Sequence, residues 1–211
     1  MALFGRKDGK SLFGRRKDAE PKKPERHELV DIPLDSMIEL SDIITYEETG
    51  DTSHAFKLVT RKKYEGDSLR RYMYHVRDAE EEVVIGVDHI AGTQDDYEIS
   101  RWIIDDECEL GDPLPDAMTL YFPNPDGEGE DIAIEYNRQD VVAATLTLTN
   151  PEGEEKFDVE LHEYASDNDA YMSIERCGDW LTFYVGELIT RSDIEIYPAM
   201  EAPLNASKFY P

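Results

Sequence analysis

This chain has very little cysteine and very little positive charge. Only Cys108 and Cys177 occur in 211 residues, and neither lies at metal-ligand spacing from another Cys or a nearby His. Two such residues read as small buried hydrophobes in a reducing compartment, which predicts unjoined thiols and a cytoplasmic protein. No apolar run approaches the roughly 18 residues that a membrane-spanning helix requires. The opening residues carry charge but no apolar h-region, so they do not read as a secretory signal. Catalytic signatures are missing as well. The histidines His27, His54, His75, His89 and His162 make no HxH or HxxxH pair, and no serine lies in a Gly-x-Ser-x-Gly elbow. Gly86, Gly92 and Gly111 match neither Walker nor Rossmann spacing. The expectation is a non-enzymatic protein without a cofactor.

Acids outnumber bases 48 to 22, for a formal net charge of −26. Residues 1–28 hold nine bases against five acids, a net of +4, so residues 29–211 carry −30. An anion of that size repels nucleic acid and anionic lipid, and nucleic-acid binding is not expected. The cationic head contains a repeat, Leu3-Phe-Gly-Arg-Lys-Asp8 and Leu12-Phe-Gly-Arg-Arg-Lys-Asp18, followed by a Pro-Lys-rich linker. One reading is a solubilising disordered tail. The other is a docking segment for a partner or a membrane surface, with Arg6, Lys7, Lys10, Arg15, Arg16 and Lys17 at anionic headgroups and Phe4 and Phe13 inserted.

From Leu29 onward the pattern is β. Short stretches of period-two alternation run between turn signals, as in Leu69–Val76, Glu82–Asp88, Tyr97–Ile104, Met118–Phe122, Asp131–Tyr136, Val141–Thr149 and Lys156–Tyr164. No window of helical length carries an i, i+3, i+4 apolar stripe. About ten to twelve short antiparallel strands in one or two small barrels or sandwiches are expected over residues 29–198. Possible halves are 29–112 and 116–198, divided at the acidic, Pro-rich stretch 105–115, with a tail over 199–211. Asn124-Pro-Asp-Gly and Asn150-Pro-Glu-Gly each suit a type I turn at a hairpin tip.

The last third is the most distinctive. Ala170–Arg176, Asp179–Val185 and Ser192–Tyr197 form three successive strand patterns, with Gly186-Glu187 expected to interrupt the run. Tyr171, Ser173, Ile174 and Glu175, then Gly186 and Glu187, then Ser192-Asp-Ile-Glu-Ile196 resemble the closing part of a bacterial family, domain of unknown function forty-one seventy-eight. Arg70–Arg77 loosely fits that family's earlier hairpin. The resemblance covers about forty residues and implies a β-rich fold. It also implies a setting, since the family's genes often lie beside those of phage-shock-protein-A-type and small membrane proteins. That points to an accessory or adaptor role in a membrane-stress or envelope-associated assembly, cytoplasmic or peripheral at the inner face of the membrane.

Three rival readings remain open. Asn124–Glu135 places oxygen side chains at positions 1, 3, 5, 7 and 12 of a calcium-loop pattern with Gly129 at position 6, but strand flanks favour a hairpin tip over an EF-hand. Carboxylates can also converge only in the fold to make an enzyme. The acidic surface can instead mimic nucleic acid toward a basic protein. Glu175 is the one acid singled out, either as a strand carboxylate paired with Arg176 or Arg191 or as a partner-facing group.

Overall fold

A computed structural model describes residues 29–41, 53–79, 81–90, 96–109, 111, 113–124 and 129–199. The head residues Phe4, Arg6, Lys7, Lys10, Phe13, Arg15, Arg16 and Lys17 lie outside the described residues, as do residues 125–128 of the calcium-loop pattern. The fold is all-β, and the described residues form eleven strands: β1 (Met37–Ser41), β2 (Ser53–Glu65), β3 (Arg70–Arg77), β4 (Glu82–His89), β5 (Tyr97–Glu109), β6 (Ala117–Phe122), β7 (Ile132–Asn150), β8 (Gly153–Ala165), β9 (Ala170–Cys177), β10 (Trp180–Ile189) and β11 (Ile194–Tyr197). One 3-10 turn, Arg191–Asp193, precedes β11.

All pairings are antiparallel, in the order β11-β1-β2-β3-β4-β5-β10-β9-β8-β7-β6. The distal halves of β2 and β7 also pair, from Arg61↔Thr149 to Glu65↔Thr145, which closes eight strands into a barrel. Closure removes the two sheet edges that an open eight-stranded array would expose. β1 and β11 continue from the proximal half of β2, and β6 from the proximal half of β7.

The strand order reads as two five-stranded meanders, β1–β5 and β6–β10, joined at β5/β10 and β2/β7. Their registers correspond. One constant offset carries Met37↔Lys57 and Ile38↔Phe56 onto Ala117↔Asn137 and Met118↔Tyr136. Each long strand has a bulge at the same place, between Leu58 and Thr60 opposite Val76 and His75, and between Arg138 and Asp140 opposite Tyr164 and Glu163. At the β5/β10 junction Trp102 faces Gly186 and Ile104 faces Tyr184. A pseudo-two-fold axis therefore passes beside Ile103↔Val185.

Apolar side chains gather in three places. Tyr64, Met73, Val84, Trp102, Leu146, Leu161 and Tyr184 fill the lumen. Outside it, Ile38, Leu40, Phe56, Leu58, Ile194 and Ile196 cover the outer face of β3–β5, and on the other half Tyr136 packs on Met172, Ile174 and Leu181. β3 is buried on both faces along six consecutive residues. That is why its sequence, Arg-Arg-Tyr-Met-Tyr-His-Val-Arg, carries large side chains at both parities.

Three sequence expectations are corrected. Asp131–Tyr136 and Val141–Thr149 are one strand, β7, because the bulge at residue 139 absorbs the polar Asn-Arg-Gln-Asp stretch without ending the ladder. β5 runs through the acidic residues 105–109, of which 106–109 pair with β10, so the connection between the two meanders begins only after Glu109. Gly186 does not interrupt its strand. It lies over Trp102, where an added Cβ would stand 2.6 Å from the indole. Gly86 does the same from β4, where a Cβ would stand 2.5 Å from the indole Nε1. Two glycines on the neighbouring strands thus make room for the one lumenal tryptophan. Gly186→Ala should lower stability by about 1–3 kcal/mol through overpacking. Gly111→Ala, where an added Cβ meets nothing within 4 Å, should change it little. Paired urea denaturation curves check this.

At the β7–β8 turn the Asn150 side chain accepts hydrogen bonds from the Glu152 and Gly153 amides at 2.9 and 3.1 Å, closing Pro151-Glu152 as a hairpin tip. Phe122 pairs with Ile132, so the segment between them also joins antiparallel neighbours. Cys108 and Cys177 are both free thiols.

Candidate functional site

The lumen holds most of the buried charge, and the duplication explains how it is divided. Row by row across the strands, Lys62–Met73–Gly86 in the first meander corresponds to Val142–Leu161–Glu175 in the second. His75 corresponds to Glu163 in the same way. The first meander therefore supplies the bases Lys62, Arg71 and His75 together with the β4 acids Glu82 and Asp88, and the second adds the acids Glu163 and Glu175.

Two clusters result. In one, the Lys62 ammonium donates to both Glu175 oxygens at 2.9 and 3.1 Å and to the Tyr184 hydroxyl at 2.8 Å. Tyr64 donates a short hydrogen bond to the same carboxylate. Burial pulls the Lys62 pKa down, but Tyr184 and Glu175 outweigh it and keep the ammonium above the ordinary lysine range. Burial pushes Tyr184 up to about 12 against the opposing pull of Lys62. In the other cluster, Arg71 makes a bidentate pair with Asp88 at 2.7 and 2.8 Å and reaches Glu163 at 2.7 Å, which in turn accepts from Ser173 at 2.9 Å. Burial disfavours the guanidinium, yet Asp88 and Glu163 more than offset it and its pKa is raised. Forked guanidinium–carboxylate geometry of this kind is directional as well as strong.

Beside the lysine cluster a cavity of about 500 Å³ is lined by Lys62, His75, Glu82, Glu107, Tyr184 and the apolar Val84, Ile103 and Ile104. His75 is 7% exposed. Its Nδ1 stands 3.5 Å from Glu82, while its Nε2 is buried without a hydrogen-bond partner. Burial holds His75 below the usual histidine range. The hydrogen bond from His75 and the Arg77 guanidinium bring Glu82 down to about 2.

Both shifts act in one direction. The unfolded chain protonates His75 below about pH 6.5 and Glu82 below about pH 4.5, where the folded chain resists. Unfolded protein thus binds more protons, and stability falls as the pH drops from about 6.5 toward 2. His162, also lowered by burial, adds to the first part of this loss. The expected result is a His75→Gln variant whose denaturation midpoint changes less between pH 7 and 5 than that of the wild type.

A second region lies outside the barrel. β6 pairs with β7 on one side and with no strand on the other among the described residues. Below it, Arg101, Ile103, Phe122, Ile134, Tyr136 and Val185 line a groove of about 300 Å³. Ile103 and Ile132 are 44% exposed and Tyr121 69%. An acid-rich cleft of about 600 Å³ between Asp67, Asp158, Glu160 and Arg176 opens elsewhere. Among the described residues no group of three or more His, Cys, Asp or Glu side chains is placed to hold a metal ion.

Glu175, expected on the surface as a partner-facing or Arg-paired acid, is instead 5% exposed and faces the lumen. The alternation of Tyr171, Ser173 and Glu175 gives the shared face correctly, but that face points inward. Glu175 meets neither Arg176 nor Arg191, since Arg176 turns outward to Glu160 at 2.9 Å and Arg191 bonds the Ile194 carbonyl. The reading of single residues missed Lys62, Arg71, Asp88 and Glu163. One signal was present: Arg71 and His75 share a parity with Met73 in a strand rich in large side chains on both faces. Comparison with family models, curated proteins and solved structures gives no match.

Proposed function

We propose that this protein is a non-enzymatic accessory or adaptor that holds a protein partner on the outside of its barrel. The carrying observation is how charge and apolar surface are distributed. The carboxylates that converge in the lumen are held by Lys62 and Arg71, whereas Ile103, Tyr121 and Ile132 stay exposed around an apolar groove. Compensated ion pairs build a scaffold, and exposed apolar side chains beside a groove mark interaction sites. The family resemblance adds a setting, a membrane-stress or envelope-associated assembly on the cytoplasmic side, with residues 1–28 supplying contact to anionic lipid.

Site-specific photo-crosslinking in cells tests the reading. A photoreactive residue at Tyr121 or Ile103 should give a discrete adduct with a different protein, and one at Lys156, on the β7–β8 hairpin, should not. No heterologous adduct from any outer-face position would overturn the proposal.

A second reading, a small-ligand pocket, draws on the cavity that His75 and Glu107 share. A ligand there would meet the unpartnered His75 Nε2, whereas Lys62 and Glu82 are already paired with Glu175 and Arg77. Nitrogen-detected spectra of His75 that stay unchanged across a library of small amines and acids would dismiss it.

A further inference from the structure

We propose that the free edge of β6, with the half-covered apolar face beneath it, takes up an extended segment of a partner protein that runs antiparallel to β6, with aliphatic residues two apart and basic residues between them. This rests on the adaptor reading and specifies how the partner docks.

The duplicated half shows what such an edge accepts. β1, the counterpart of β6, is paired on its outer side by β11, with Ile38 opposite Ile196 and Leu40 opposite Ile194. With that strand in place Ile38 is 0% and Leu40 7% exposed. Their register counterparts Met118 and Leu120 are only partly buried, packed with Leu114 and Phe183 at the margin of the outer core. Among the described residues the same lattice of backbone and apolar positions is thus complete on one side of the pseudo-axis and lacks its outermost strand on the other.

The β6 sequence points the same way. Sheet edges are ordinarily blunted by a charge, a proline or a bulge. Ala-Met-Thr-Leu-Tyr-Phe has no charge and no proline, and its ladder with β7 runs from Ala117↔Asn137 to Phe122↔Ile132 without a register shift. An edge left flat and uncharged is suited to accept another strand. Backbone hydrogen bonds then supply affinity, and alternate side chains supply selectivity.

Charge selects the occupant. A second copy would bring −26 against −26, and repulsion between two such bodies opposes self-pairing. Glu135 lies opposite Thr119 on the solvent side of the ladder, where basic residues of an added strand would stand. A basic partner strand satisfies both the edge and the field.

The test uses the full chain and the capped hexapeptide Lys-Ile-Lys-Ile-Lys-Tyr, which keeps the spacing of Ile194 and Ile196. At saturation the outward-pointing amides of Ala117, Thr119 and Tyr121, which alternate with those turned to β7, should exchange with deuterium at least tenfold more slowly, with residues 37–41 unchanged. The analogue with glutamate in place of lysine should bind at least tenfold more weakly. Leu120→Glu should abolish the protection. Because that variant disturbs the outer core, Thr119→Arg, on the solvent face, should weaken the lysine peptide several-fold with the melting temperature retained. Unchanged β6 exchange, or equal binding of the acidic peptide, would overturn the proposal. Concentration-dependent dimers of the protein alone, with the same β6 protection, would assign the edge to a second copy and also overturn it. Crosslinked partners captured away from β6 would sink strand docking and leave the adaptor reading intact. Peptide capture at β6 without any cellular adduct would do the reverse.

Discussion

Glu175→Ala lowers the unfolding free energy by about 3–5 kcal/mol, the range for removing one partner of a buried ion pair. The variant leaves the Lys62 ammonium, whose side chain is 14% exposed, with the Tyr184 hydroxyl as its remaining partner in the cluster. It also takes the acceptor away from the fully buried Tyr64. Chemical denaturation at pH 7 measures the loss. The double variant Lys62→Met, Glu175→Leu removes both charges and should recover most of it, because apolar replacement of a whole buried pair is often neutral or stabilising. A surface carboxylate would instead cost well under about 1 kcal/mol on truncation.

Arg71→Leu is expected to have an effect of similar size. It strands Asp88 and Glu163, whose side chains are 26% and 22% exposed, beside one another without the guanidinium that bridges them. With no cation between them the two carboxylates repel each other across a partly dry lumen, so the variant should unfold at a clearly lower urea concentration than the wild type. Urea denaturation of both proteins at pH 7 measures the loss. Arg71→Lys should rescue only in part, since an ammonium cannot reproduce the forked contact with Asp88.

The fold class was legible because the signal for a strand is local. Alternation in Ala170–Arg176 or in Met118–Phe122 reports the pleat directly. Closure was not legible, since nothing in Arg61–Glu65 announces that it pairs with Thr145–Thr149. Nor could the sequence say which face of a strand is inward when a barrel is covered outside as well as filled inside. Ser173 and Glu175 are polar yet lumenal, while Met172 and Ile174 are apolar and point to the outer core. The usual inference from polarity to solvent inverts there, and with it the placement of Glu175. The likeness of the two halves, near 29–112 and 116–198, shows only faintly in the residues for a related reason. Corresponding lumenal positions carry Lys62 and Val142, or Gly86 and Glu175, so the halves match in register and differ in chemistry.

The seam between β2 and β7 also bears on how the chain folds. It has five register pairs, against ten at the β5/β10 junction. Within each meander, neighbours in sequence are neighbours in space, so those ladders close short loops. Both junctions join segments from opposite meanders and must overcome a larger loop-closure entropy, which the five pairs of the seam offset less fully than the ten at β5/β10. The seam is therefore the step most suited to come last. Lys62 and Tyr64 belong to the five-residue stretch of β2 that forms the seam, and Glu175 reaches them from across the lumen. The ion pair acts as a latch engaged after the ladders, so losing it should leave the folding rate nearly unchanged and appear almost wholly as faster unfolding.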